Sequence, residues 1–326
     1  IISLITIAVS TVKYAAQILV LILLRNYYAY LAIEIIYQAV LNIVIALYSK
    51  KNYPELNPIG NISKEDKQQI NKKVRDLFTA KLGNIITTSA DAIVISAFLG
   101  LKILAIYQNY YFVLNAIISL YTIFFEACKA GIGNSLLVKS HEDNRRLLYN
   151  LNYIVFLALC FCCCCMLNLY TPFMQIWVKD PALMLDDSLV LLFVIYLGAY
   201  ILPRILIVFK DAGGIWKEDR FRPFFTAMTN LTLNLLLVQK TGLFGVLIST
   251  IISYIAISFP WVVCNINKYL FCIDISSYIK KTLSYVMTVI ICCILTLYIC
   301  KTIDNGSIVL VLAIRFTVSA LCSLLV

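Results

Sequence analysis

Ten stretches of mainly apolar residues recur along this chain of 326 residues. They cover residues 1–24, 28–48, 77–99, 103–125, 153–170, 189–209, 224–238, 243–263, 283–300 and 308–326. A bilayer core about 30 Å thick needs roughly 20 such residues per helix. The strands of a β-barrel would instead alternate apolar and polar residues over about 10 positions. The pattern predicts an all-α polytopic membrane protein with about ten transmembrane helices, the seventh being the shortest.

Composition agrees with this reading, since 62% of the residues are hydrophobic and 13% are charged. Soluble domains are usually about 45–50% apolar and about 25% charged, so a water-soluble fold has no way to hide this surface. The first stretch has no basic start and no small-residue cleavage site, and it therefore predicts a true span rather than a signal peptide. Both ends of the chain lie inside apolar stretches, which predicts an N-terminally truncated fragment.

The net charge of +10 comes from basic residues that concentrate on alternate loops. Segments 49–76, 129–146, 210–222 and 268–281 hold eighteen Lys and Arg residues. The loops between them hold five, which are Arg25, Lys102, Lys179, Lys240 and Lys301. The positive-inside rule places the richer side in the cytoplasm. Attraction to anionic headgroups then accounts for the charge, and no nucleic-acid partner is expected.

The longest polar segment, 49–76, is predicted to be a cytoplasmic linker. It contains Pro54 and Pro58, and Ser63 with Asp66 can cap a helix that begins after Ser63. The apolar stripe of this helix is Ile70, Val74, Leu77 and Phe78. Such a stripe is typical of a helix that lies on the membrane. The alternative is an ordinary solvated loop without a functional role.

Ionisable residues inside the spans are the informative candidates, because each costs about 2.5–3.5 kcal/mol at the bilayer centre. They are Lys13, Glu34, Lys81, Asp91, Glu126, Arg204 and Arg315. Lys81 lies near the cytoplasmic end, where it can snorkel, and Glu126 can pair with Lys129 one helical turn away.

Lys13, Asp91 and Arg204 lie deeper in their predicted spans, and Pro203 loosens the helix beside Arg204. These three residues predict a polar cavity whose excess of positive charge suits an anion. The alternative is structural pairing among themselves or with neighbours.

No catalytic or metal centre is predicted, and the chain is not expected to be an enzyme. Cys160 and Cys162 to Cys165 cluster inside an apolar stretch, where successive helical side chains point about 100° apart. They are interpreted as small apolar residues of a packed or lipid-facing helix. The single histidine, His141, lies in a charged loop, so no catalytic triad can be built.

Three blocks of residues stand out along the chain. One is Thr88-Ser-Ala-Asp91-Ala-Ile-Val-Ile-Ser96-Ala-Phe-Leu-Gly100, followed by Tyr107-Gln-Asn-Tyr110-Tyr111. Another is Gly213-Gly214-Ile-Trp216-Lys217-Glu-Asp219-Arg220 with Pro223, Asn230-Leu-Thr-Leu-Asn234, Gly242-Leu-Phe-Gly245-Val246, Thr250 and Ser253. Pro172-Phe-Met-Gln-Ile-Trp177 is the third. Together they resemble blocks of the polysaccharide-biosynthesis flippases, which export O-antigen or capsule repeat units and belong to the multidrug/oligosaccharidyl-lipid/polysaccharide exporter superfamily.

The resemblance implies two six-helix lobes joined by a cytoplasmic linker. Residues 1–48 would then be the last two helices of the N-terminal lobe, and 49–76 the linker. Residues 77–265 would be the C-terminal six-helix lobe, and 266–326 two additional helices. The basic residues that related flippases carry in earlier helices would lie outside this chain.

The function implied is translocation of undecaprenyl-pyrophosphate-linked oligosaccharide across the bacterial cytoplasmic (inner) membrane by alternating access. Lys13 and Arg204 are the predicted pyrophosphate or sugar contacts, Lys81 is placed on the substrate path, and Asp91 positions a contact or couples an ion. No cofactor is expected, and a proton or Na⁺ gradient is the implied driving force. Membrane lipids and a polysaccharide polymerase are the expected partners, beside the lipid-linked oligosaccharide.

Three other functions are alternatives. A purely structural membrane anchor would not need Lys13 or Asp91 in the middle of a span. A multidrug or other small-molecule exporter of the same superfamily would share the scaffold, and the fold alone does not decide the substrate. A membrane polymerase or ligase would need a large outer loop with catalytic groups, which this sequence does not provide.

Overall fold

The computed structural model describes residues 2–53, 62–271, 274–302 and 307–324, and within them the chain is helical with no β-strand. The helices are α1 Ile2–Leu23, α2 Tyr27–Asn52, α3 Lys64–Phe98, α4 Leu101–Val138, α5 His141–Val178, α6 Asp187–Ile201, α7 Arg204–Ala212, α8 Arg222–Thr241, α9 Leu243–Ser253, α10 Phe259–Tyr269, α11 Ile275–Lys301 and α12 Ile308–Leu324. A 3₁₀ turn, Pro181–Leu183, precedes α6, and a π-helical turn, Tyr254–Ser258, joins α9 to α10.

The prediction of an all-α multi-pass membrane protein is confirmed at this level. Seven helical segments of the described chain are long and apolar enough to cross a membrane. They are 3–23, 27–52, 101–138, 141–178, 187–212, 243–269 and 275–301. The other three predicted spans are also helical, as parts of α3, α8 and α12, but those helices are shorter or less apolar. The count of ten crossings therefore stays a prediction.

The chain divides into two compact units, Ile1–Lys67 and Gln68–Val326. The division falls inside the predicted linker, 49–76, while the four-part domain layout stays a prediction. The first unit consists mainly of α1 packed against α2. Its α2 continues to Asn52, past the predicted end of the span.

The predicted helix start after Ser63 is confirmed. The Ser63 hydroxyl donates to the Asp66 carboxylate over 2.7 Å and accepts from the Asp66 backbone N–H over 3.1 Å. This helix does not end before the next apolar stretch, and α3 runs without a break to Phe98. Pro54, Pro58 and the side chain of Leu77 lie outside the described residues.

In the second unit, α5 packs against α6, α7, α11 and α12, while α9 packs against α6 and α8. Two of the predicted spans are interrupted. Helix α6 ends at Ile201 and α7 begins at Arg204, because Pro203 has no N–H to donate to the preceding turn. The span formed by α9 and α10 contains the π-helical turn, a feature that frequently marks functional sites.

The cysteine cluster lies on α5 as the sequence predicted. Cys160, Cys163 and Cys164 are buried, and the Cys164 Sγ lies 3.9 Å from the Cys293 Sγ of α11. Within the described residues no group of three or more His, Cys, Asp or Glu side chains is placed to hold a metal ion. The cluster thus contributes packing between α5 and α11.

Candidate functional site

A buried carboxylate, Asp91, connects three helices of the second unit. It lies on α3, and the amide Nδ2 of Asn234 on α8 donates to its Oδ1 over 2.7 Å. The Thr250 hydroxyl on α9 donates to its Oδ2 over 2.9 Å, and the Asn230 amide lies 3.4 Å from Oδ1. Asn230 also donates to the Thr250 hydroxyl over 2.8 Å. All four side chains are 4% exposed or less.

Local sequence explains how these helices come so close. Asn230 and Asn234 are four residues apart, so both face the same side of α8. A Cβ added at Gly245 of α9 would lie 2.8 Å from the Leu237 Cβ of α8, a distance that side chains do not tolerate. Glycine at this position therefore lets α9 approach α8 and brings Thr250 to Asn230.

The surroundings of Asp91 make it chemically unusual. Every contact that the described residues make with its carboxylate comes from a neutral amide or hydroxyl. A buried charge without a partner is costly, so this carboxylate favours a bound proton or cation. Two neighbouring oxygen atoms are of the kind that binds a hard cation. The Asn234 Oδ1 is buried without a hydrogen-bond partner among the described residues. The Val246 carbonyl oxygen accepts from the Thr250 hydroxyl over 3.3 Å.

A line of tyrosine rings ends at Arg204, and we call it the tyrosine belt. It consists of Tyr107 and Tyr111 on α4, Tyr196 and Tyr200 on α6, and Tyr254 of the π-helical turn. Successive ring centroids lie 5.6, 6.3, 6.3 and 5.4 Å apart, in the order Tyr107, Tyr111, Tyr196, Tyr254 and Tyr200. The Asp91 carboxylate lies near enough to the first four rings for its charge to act on them, so it lies beside the belt.

Arg204 lies at the Tyr200 end of the tyrosine belt. Its guanidinium carbon lies 3.8 Å from the centroid of the Tyr200 ring, a cation–π contact. The break at Pro203 places this arginine at the first position of α7. Its Nε is buried without a hydrogen-bond partner among the described residues, and the side chain lines a cavity of about 160 Å³.

The same cavity is lined by a buried ionic network that sequence reasoning missed. The Arg222 guanidinium donates to both oxygens of Asp219, with Nε–Oδ1 at 2.8 Å and Nη2–Oδ2 at 2.9 Å. The Lys210 ammonium lies 3.1 Å from the Asp219 Oδ2, and the Asn265 amide donates to Oδ1 over 3.1 Å. Arg222 also donates to the Ser258 hydroxyl over 2.9 Å.

On the sequence alone, Lys210 and Arg222 count among the basic residues attracted to headgroups, whereas the structure leaves them only 4% and 7% exposed. Asp219 pairs with both of them, and the Lys210 ammonium also lies 2.5 Å from the Asp211 Oδ1, so two carboxylates balance the two cations. The sequence offered one signal, an acidic residue three positions before an arginine and close to a Lys-Asp pair. That spacing also occurs on exposed helix surfaces, where it has no functional meaning.

The other candidate residues have surroundings of their own. In the first unit, the Lys13 ammonium lies 3.2 Å from the Glu34 carboxylate, and Gln17 donates to the same carboxylate over 3.1 Å. Lys81 is exposed on α3 and makes no ion pair with a described residue.

Glu126 pairs with Lys129 at 3.6 Å across one helical turn, which confirms that interpretation. Lys129 also lies 3.9 Å from Asp211, beside the ionic network. Arg315 donates to the Asn168 carbonyl over 3.3 Å, in a different part of the unit. The structure therefore brings Asp91 and Arg204 to one tyrosine belt and leaves Arg315 elsewhere.

Comparisons with protein-family models, with curated proteins and with solved structures found no match to this chain. The family resemblance therefore rests on the residue blocks quoted for it.

Proposed function

We propose that this chain belongs to a flippase that carries undecaprenyl-pyrophosphate-linked oligosaccharide repeat units across the bacterial cytoplasmic membrane. One observation carries the proposal. Inside the second unit, a buried carboxylate lies beside a continuous belt of tyrosines, and an arginine contacts the last ring of that belt. Charged groups within membrane-spanning helices are expensive, and they typically mark a pathway for a polar or ionic solute.

The chemistry of the belt suits an oligosaccharide pyrophosphate. Tyrosine hydroxyls can hydrogen-bond with sugar hydroxyls, and the rings offer flat apolar faces. A cation about 4 Å from a pyrophosphate oxygen recovers roughly 4 kcal/mol at an effective dielectric constant near 20. Arg204 is the proposed pyrophosphate contact, and Lys13 and Lys81 stay proposed contacts along the path. The prenyl tail, at about 0.8 kcal/mol per CH₂, remains in the lipid while the head group crosses.

Asp91 is the proposed coupling site. A monovalent cation, Na⁺ or a proton, would neutralise its carboxylate, and release of that cation would leave a buried charge between α3, α8 and α9. Binding and release of the cation would change how favourably these three helices pack together. Alternating access requires such a shift between two conformations. A polysaccharide polymerase on the outer side is the proposed consumer of the flipped repeat units.

The test is deletion of the intact gene, followed by complementation with wild type, Arg204→Gln, or Arg25→Gln as a control on a predicted outer loop. Lipid-linked repeat units should accumulate on the cytoplasmic leaflet after deletion and after complementation with Arg204→Gln. Wild type and Arg25→Gln should restore surface polysaccharide.

The Lys13→Ala, Arg204→Ala double variant should export no repeat units at normal expression. Unchanged polysaccharide together with altered drug sensitivity would replace the proposal with a multidrug exporter.

A further inference from the structure

A cavity of about 690 Å³ lies away from the candidate site, where the last turns of α5 and α11 meet the first turns of α6 and α12. Lys301 and Arg315 line it, and Asp187 is the carboxylate among the described lining residues. Asn168, Thr171 and Ser188 add neutral polar groups to its wall. Two cations against one carboxylate in this described lining favour an anion.

The position of Arg315 is fixed by contacts between helices. Its Nη1 donates to the Asn168 carbonyl of α5 over 3.3 Å, and the Asn168 amide donates to the Cys164 carbonyl over 2.8 Å. These bonds hold the guanidinium of an α12 residue against the wall of the cavity. Lys301, at the end of α11, is exposed and brings the second cation to the same opening.

An apolar groove of about 530 Å³ adjoins this cavity. Leu167, Leu191 and Leu297 line both spaces, so the two lie side by side. On α11 the groove extends from Leu297 back to Val286, and on α5 from Leu167 back to Phe156. Eleven residues of helix span roughly 16 Å, which is about half of a hydrocarbon core about 30 Å thick.

We propose that this cavity and the adjoining groove together bind an anionic phospholipid of the predicted external leaflet. Its phosphate lies between Lys301 and Arg315, and one acyl chain lies in the groove between α5, α6 and α11. Three features select this occupant: the cationic opening, the apolar lining of the groove, and a groove length that matches one leaflet. The inference requires a helical membrane protein and does not depend on the proposed transport function.

The test uses the purified full-length protein in nanodiscs that contain phosphatidylglycerol or phosphatidylcholine, with bound lipid counted by native mass spectrometry. We expect phosphatidylglycerol to be retained and phosphatidylcholine to be lost. The Lys301→Gln, Arg315→Gln double variant should bind phosphatidylglycerol about 30-fold more weakly. Lys179→Gln and Lys240→Gln, which remove cations from the same predicted side outside the cavity, should bind as wild type does.

Two further variants keep the test decisive. Lys301→Gln alone removes an exposed cation without a packing role, so its weaker lipid retention cannot come from unfolding. Val286→Trp fills the far end of the groove and should reduce retention while both cations remain. Equal retention of both lipids, or equal binding by all variants, would overturn the proposal. The proposal would also be wrong if inorganic phosphate, at the concentration of the lipid, displaced bound phosphatidylglycerol. It would equally be wrong if undecaprenyl phosphate displaced the bound lipid at a lower concentration than added phosphatidylglycerol does.

Discussion

Asn234 donates a hydrogen bond of 2.7 Å to Asp91, although 143 residues separate the two in sequence. The bond joins α8 to α3 inside the second unit, and both side chains are buried. Because its donor is a neutral amide, the bond orients the carboxylate without neutralising its charge. The packing of α3, α8 and α9 should therefore respond to whatever cation reaches this position.

Asp91→Asn should abolish the response of the protein to the proposed coupling cation. In wild type, Na⁺ at about 100 times its Kd would stabilise the folded state by about 2.7 kcal/mol. The variant keeps the shape of the side chain and removes the charge, so its apparent melting temperature should no longer depend on Na⁺. The measurement is thermal unfolding in detergent, with choline replacing Na⁺ at constant ionic strength.

The matched control is Asp186→Asn, the same change in the exposed residue that precedes α6. It should keep the Na⁺ dependence of wild type. A wild-type melting temperature that is insensitive to Na⁺ but changes with pH, in a manner that Asp91→Asn removes, would identify the cation as a proton. Insensitivity of the wild type to both ions would contradict the proposed coupling role.

Asp91 and Arg204 could be identified from the sequence because a charged residue inside an apolar stretch is recognisable without a structure. It did not assign a role to Asn230, Asn234 or Thr250, although all three belong to the quoted resemblance. Neutral polar side chains cost little inside a helix bundle, so nothing marked them as partners of a carboxylate. Their role depends on the approach of α8 and α9, which is a property of the packed structure.

The buried state of Lys210 and Arg222 was hidden for a different reason. Counting basic residues assigns each of them to a side of the membrane but says nothing about depth. Asp219 offsets their charge only because the chain folds back between α7 and α8. The general fold class followed from the apolar stretches, whereas this network required the conformation of a loop.

Asp219→Asn should strongly destabilise the second unit. Arg222 would lose its bidentate carboxylate, while Lys210 would keep only Asp211, whose Oδ1 lies 2.5 Å from its ammonium. Removing one partner of a buried pair typically costs about 3–5 kcal/mol. The apparent melting temperature should fall and less protein should remain monodisperse after heating. Glu218→Gln makes the same chemical change one position earlier and should have little effect. Equal melting temperatures for both variants would show that the ionic network contributes no stability.

Two variants distinguish a structural role of the Lys13–Glu34 pair from a role in transport. Glu34→Lys alone places two ammonium groups together on α1 and α2, so the level of membrane-inserted protein should fall. The charge swap Lys13→Glu, Glu34→Lys restores an attractive pair and should restore that level. If Lys13 contacts the substrate, export should stay low in the swap, because the cation has moved to another helix. Recovery of export together with protein level would make the pair purely structural.

Gly245→Ala should loosen the contact between α8 and α9 that positions Thr250. The new methyl group would lie 2.8 Å from the Leu237 Cβ and 2.9 Å from its backbone carbonyl carbon, so the helices must separate. Overpacking of this kind typically costs about 1–3 kcal/mol. Gly131→Ala is the control, since a methyl there meets no atom of the described chain within 4 Å. We expect a lower melting temperature and weaker Na⁺ stabilisation for Gly245→Ala, with both unchanged for the control. A fall in melting temperature without loss of the Na⁺ response would show that the cation site tolerates a shift of α9.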